Sequence, residues 1–169
     1  SASAQNANWV YVSATGIPKP TNNPSAKPLY IYLASAGDIY IDDVNVVAGT
    51  VAGVGANIAT NGGFETGAIS PWTSGSTGNN SASVVANTFA HSGNFSLHLI
   101  ASAGGTTQNS SIWQDFSSRA TIGGVYTLSF WYRQSTNGGP LIVRFSGGGI
   151  GTTNDPAPPV ITAINPPDR

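Results

Sequence analysis

Asn61-Gly62-Gly63-Phe64-Glu65-Thr66-Gly67, followed closely by Pro71-Trp72-Thr73, is the stretch on which the reading of this chain turns. It holds the only glutamate, Glu65. The segment Gly62–Glu65 is read as a short strand, with Trp72 packing the loop behind it. The residues upstream, from Trp9 to Val47, read as further strands, so β structure lies on both sides of the motif. The order of the parts is therefore as informative as the parts.

Outward from that stretch, short β-rich runs alternate with turn clusters, and no window sustains a 3.6-residue period with caps. Strands are expected at Trp9–Ala14, Leu29–Ala34, Asp38–Val47, Ala82–Val85, Leu97–Ala101, Ser110–Phe116, Val125–Gln134 and Leu141–Ser146. Ala36-Gly37-Asp38 and Asn137-Gly138-Gly139-Pro140 supply the residues that tight turns need. This gives strands within 1–47, a linker over 48–57 and further strands within 58–150. A Pro-rich spacer or the start of a following β domain occupies 151–169, with five prolines between Pro156 and Pro167.

Composition narrows the function. Charged residues make up 8% of the 169, against roughly 25% in an average soluble domain. The net charge of −1 argues against nucleic acid, which needs a basic patch to displace counterions. No apolar run approaches the length of a membrane span. With no Cys, neither disulfides nor thiolate metal sites are available. The absence of Cys and Met, with so few charges, suits a secreted bacterial protein, any export signal having been removed or lying outside this segment.

Alternation along Val125–Gln134 puts Tyr126, Leu128, Phe130 and Tyr132 on one face and Thr127, Ser129, Trp131 and Arg133 on the other. The second set reads as a concave binding face. Ser111, Trp113 and Asp115 share a face of their strand, as do Ile142, Arg144 and Ser146, while Leu141, Val143 and Phe145 face the core. Sugars stack their C–H faces on flat rings while their hydroxyls pair with planar polar groups. Trp131, Trp113, Arg133, Arg144, Gln114 and Tyr32 (or Tyr30) supply those chemistries. The alternative for Trp113 and Trp131 is burial in the core.

Hydrolysis needs two carboxylates flanking a sugar, and a single Glu with scattered Asp residues does not offer that pair. His91 and His98, seven apart on a turn and strand, are read as packing residues, His91 in the turn and His98 facing the surface. No enzyme is expected.

Residues 57–150 resemble the first two-thirds of a carbohydrate-binding module of the family four, nine and twenty-two type. The resemblance rests on NGGFETG…PW at 61–72, AHSGNFSLHL at 90–99, SIWQDF at 111–116 and VYTLSFWYR at 125–133. It implies an all-β, galactose-binding-like jelly roll. The strands that close such modules, ending in Tyr40-Ile41-Asp42-Asp43-Val44, lie here before the opening motif, which makes 1–47 the closing strands of a module and 58–150 its opening two-thirds. Similar modules occur in tandem in large secreted bacterial proteins. The closing strands then fold back as a circularly permuted jelly roll, or they complete a neighbouring copy of the chain in a fibre or adhesin. The linker reaches roughly 33 Å when extended, enough for self-closure, which also costs less entropy.

The resemblance further implies one structural calcium near the opening strand. Its oxygens would come from Glu65, Asp43 or Asp42, and the backbone near Ser92 and Asn94, in keeping with the hard oxygen shell calcium takes. The implied function is non-catalytic binding of a polysaccharide or glycan outside the cell.

Overall fold

Runs in which every second residue is apolar form strands, because alternate side chains then meet one core while backbone groups pair sideways. The computed structural model describes residues 9–19, 21, 28–135, 137 and 140–145, and the strand backbone of 149–150 and 161–164. Its strands in chain order are β1 (Trp9–Ile17), β2 (Leu29–Leu33), β3 (Gly37–Ala48), β4 (Thr73–Ser74), β5 (Val84–Ala86), β6 (Ser96–Ala101), β7 (Ile112–Gln114), β8 (Tyr126–Gln134), β9 (Leu141–Phe145), β10 (Gly149–Ile150) and β11 (Ile161–Ile164). The one helical element among the described residues is a 3-10 turn, Gln108–Ser110. Among the described residues, no helix is long and apolar enough to cross a membrane.

Two antiparallel sheets result, one of six strands in the order β10-β1-β8-β3-β6-β5 and one of five in the order β11-β9-β2-β7-β4. The protein is an all-β sandwich. Between the sheets lie Leu29, Ile31 and Leu33 of β2, Ile39, Ile41, Val44 and Val46 of β3, Leu97 and Leu99 of β6, Leu128, Phe130 and Tyr132 of β8, and Leu141, Val143 and Phe145 of β9. Burying one such side chain stabilises the fold by about 1.5–3 kcal/mol. The faces expected for β8 and β9 are those observed.

β3 carries one extra residue that breaks its alternation. Asp42 pairs with Trp131 and Asn45 with Ser129, so Asp43 and Val44 together stand opposite Phe130. This β-bulge lets Ile41 and Val44, three positions apart, both face the core. Asp43 carries φ 50° in the bulge, a conformation Asp tolerates better than most residues.

The first three strands pair with later strands of the same chain. β2 lies between β9 and β7, and β3 lies between β8 and β6. Beyond β3 the chain makes an exposed loop through Val51 and Val54 and returns alongside it, with Ile58 N–H donating to Val46 O at 2.9 Å. Asn57 fixes the return, accepting from Val46 N–H and donating to Val44 O.

One expected strand is a correction. Gly62–Glu65 forms turns, because Asn61 (φ 52°) and Phe64 (φ 57°) both turn left-handed. Phe64 is thereby pushed inward to 0% exposure beside Trp72, whose Nε1–H donates to Asn61 O. Gly62 passes so close to β3 that a Cβ there would run into the Val44 carbonyl. Strand β4 had no signal, being two exposed residues. Of the Pro-rich segment only the backbone of β11 is described, paired with β9; Ser146 lies outside the described residues.

Candidate functional site

The aromatic and polar residues expected on one binding face are divided between the two outer faces of the sandwich. Trp131 and Arg133 lie outside the six-stranded sheet, because they alternate with the core residues Phe130 and Tyr132. Trp113, Tyr32 and Arg144 lie outside the five-stranded sheet, alternating with Ile112, Ile31, Leu33, Val143 and Phe145. Gln114 belongs to neither face. It is buried, with Oε1 accepting from Thr60 N–H and Arg119 and Nε2 donating to Thr60 O. Sheet parity separates these residues, and it could not be assigned before the strand pairings were known.

On the five-stranded sheet, Trp113, Tyr30 and Arg144 stand side by side on β7, β2 and β9. Tyr32 and Ile142 form the next row. Trp113 is half-buried and outside the core cluster, so it is not a core tryptophan. The Arg144 guanidinium lies 5.5 and 5.6 Å from the Tyr30 and Tyr32 ring centres and donates to Thr106 O at 2.6 Å. Its Nε has no hydrogen-bond partner. Burial pushes the Tyr32 hydroxyl above its ordinary value, so it stays a neutral donor at physiological pH.

On the six-stranded sheet, residues 87–95 fold over Trp131 and Arg133. His91 stacks on Trp131 with centroids 3.9 Å apart and meets the edge of Trp9. The Arg133 guanidinium sits 3.9 Å from the Phe89 ring centre. These two residues thus form a floor for a covering loop, and Phe89, which carried no sequence signal, is part of that cover. His98 stacks on Tyr40 at 4.2 Å and pairs with Asp38 at 2.6 Å, while Asp38 also accepts from Ser135. The histidines remain separate, as their spacing implied.

The acidic residues clasp the same loop. Asp42 Oδ1 accepts from Asp43 N–H, and Oδ2 accepts from the N–H groups of His91 and Ser92. Asp43 bonds the Ser92 hydroxyl and the His91 ring, both at 2.6 Å. Glu65 accepts from Asn94 and Phe95 N–H. Gly93 (φ +61°) lets the loop approach Glu65, where a Cβ would overlap the carboxylate. Ser92 and Asn94 therefore face the carboxylates with donors.

Whether these residues suit a cation is tested by Gly63. A Cβ built there would lie 3.7 Å from Asp43 Oδ1, 3.9 Å from Asp42 Oδ1 and 3.8 Å from Glu65 Cγ. Asp42 and Asp43 thus each turn an oxygen, the ligand a hard cation takes, toward Gly63, whereas Glu65 presents Cγ there and turns its oxygens to Asn94 and Phe95 N–H. Among the described residues, no three His, Cys, Asp or Glu side chains converge closely enough to hold a metal as they stand.

Asp42 is fully buried, and burial, then the Asp43 charge beside it, push its carboxyl from 3.8 up to about 7. The folded state therefore binds the extra proton, and the stability this group contributes declines as pH rises from about 4 through about 7. In chelator, thermal melting of the unmodified protein should show that decline. Asp42→Asn should flatten it at lower overall stability, because the amide sets a donor against backbone N–H groups. An unchanged pH slope in the variant would refute the assignment.

A family model described as Carbohydrate binding domain, of the family 4/9 type, matches residues 56–147. No curated protein and no solved structure matched the chain. The family match takes in β4 to β9, more than half of the chain, and leaves out β1 to β3, which complete both sheets. On that match and the two-sheet β architecture, the chain belongs to the carbohydrate-binding domain family.

Proposed function

We propose that this protein is a non-catalytic extracellular module that binds a polysaccharide on the outer face of its five-stranded sheet. The observation that carries this reading is the row Trp113, Tyr30, Arg144, set side by side across three strands. Trp113 offers a flat ring for the C–H face of a sugar. The Arg144 guanidinium and the Tyr32 hydroxyl offer donors to its hydroxyls. Binding rather than cleavage is supported by the carboxylates, since Glu65, Asp42 and Asp43 are tied into the turn at 91–95. The low charge and the absence of Cys and Met support an extracellular setting.

Retention on affinity gels containing xylan, mannan, mixed-linkage β-glucan or a soluble cellulose derivative tests the reading. Trp113→Ala should weaken retention about tenfold or more, while its half-exposed position leaves the fold intact. Unchanged retention would remove this face from consideration.

A calcium ion held by Glu65, Asp43 and Asp42 is part of the proposal, supported by the Asp42 and Asp43 oxygens that face Gly63 and by the Glu65 carboxylate set against the same loop at 93–95. When bound, it would neutralise the carboxylates that hold residues 91–95 in place. Glu65→Ala should lower the melting temperature in chelator, by loss of its bonds from Asn94 and Phe95 N–H, and should lower it further in calcium. An equal loss in both conditions would leave a hydrogen-bonded clasp with no metal.

A structural role in a fibre or adhesin is a second reading, favoured by the absence of β2 and β3 from the family-matched segment. Strands 9–48 of one copy would then complete the sheets of the next. Light scattering over a dilution series separates the two. Monomer at every concentration supports self-closure, and a polymer that resists dilution supports exchange.

A further inference from the structure

The face of the six-stranded sheet beyond the covering loop has no part in the site proposed above. There Tyr11 of β1 stands directly opposite Trp131 of β8, with ring centres 5.1 Å apart and planes inclined by 51°. Trp131 already carries His91 on its ring, so Tyr11, 45% exposed, is the ring open to solvent. One row further on, Ser13, Ser129 and Asn45 stand side by side on β1, β8 and β3. Asn45 is partly exposed, and its Oδ1 is buried with no hydrogen-bond partner. In the row after that, the hydroxyls of Thr15 and Thr127 bond each other at 2.9 Å and Thr127 donates to Gly49 O, so that end of the ledge is internally satisfied.

We infer that the ledge formed by Tyr11, Trp131, Ser13, Ser129 and Asn45 is a second glycan-binding site, taking an uncharged polysaccharide. Its open chemistry is the Tyr11 ring beside the exposed Ser13 hydroxyl and the partly exposed Asn45 side chain, with Ser129 buried between them. The nearest carboxylates, Asp42 and Asp43, are taken up by the covering loop. A charged ligand would find no counter-ion among the ledge residues, whereas a neutral sugar needs only a stacking ring and short hydrogen-bonding groups. The loop carrying His91 walls the ledge at the Trp131 end. With Trp113 on the opposite outer face, one module would hold two polysaccharide strands at once. The inference rests on the reading that this protein takes glycans, and the following experiment separates the two faces.

Tyr11→Ala, Trp113→Ala and the double variant are compared on the polysaccharide gels named above and in agglutination of beads coated with the polysaccharide that is retained. Tyr11 is exposed, so its replacement is not expected to unfold the chain, which circular dichroism of the variant checks. Each single variant should keep measurable retention and lose agglutination, while the double variant loses both. Losing simultaneous engagement should weaken retention on a dense gel by about tenfold or more for either single variant. Agglutination by Tyr11→Ala at the wild-type level overturns the second site. So does complete loss of retention in Trp113→Ala alone. Loss of all retention in Tyr11→Ala, with Trp113→Ala unaffected, upholds the ledge and removes the other face. No retention of the unmodified protein on any gel overturns both.

Discussion

Both sheets depend on the insertion of β2 and β3. Neither strand lies at an edge: β2 joins β9 to β7, and β3 joins β8 to β6. Removing them would cut each sheet into fragments of a few strands, too small to bury an apolar face. The pairings are distant in sequence, with Ile39 opposite Gln134 and Leu29 opposite Phe145. Loop closure must therefore precede most of the reward, and folding should be slow and cooperative.

β3 does more than complete a sheet. Its bulge turns Asp43 out of register beside Asp42, and the two carboxylates then hold His91 and Ser92. Glu65 takes hold of the same loop from the turn at 61–67. The loop thus held brings His91 and Phe89 over Trp131 and Arg133. A local irregularity in one strand accordingly decides which part of the outer face is covered and which is left open at Tyr11.

Much of the architecture was legible because it follows from period-two alternation. The core and outer faces of β8 and β9 could be read from Leu128, Phe130, Leu141 and Val143 alone. The packing of Trp72 and the separation of His91 from His98 were legible too. The turn at Gly62–Glu65 was not, because left-handed Asn61 and Phe64 leave no mark on a pattern of apolar residues. The binding face was misread for another reason. Alternation assigns a side chain to one side of its own strand, but Trp113 and Trp131 could be placed together or apart only once β7 and β8 had been assigned to different sheets. Gln114 was misplaced because its inward direction depends on Thr60 and Arg119, contacts remote in sequence.

The exposed loop after β3 has a consequence for the integrity of the molecule. Gly53 and Gly55, both in left-handed conformation with open space around them, sit in the single peptide thread tying the first three strands to everything that follows. A protease cutting there would sever that thread and leave the sheet pairings untouched. The nicked protein would persist as two interlocked pieces, and pieces made separately would each present a surface that finishes the other's sheets. The chain is in this sense a naturally divided receptor and peptide, kept at high local concentration by a loop that otherwise contributes little to the fold.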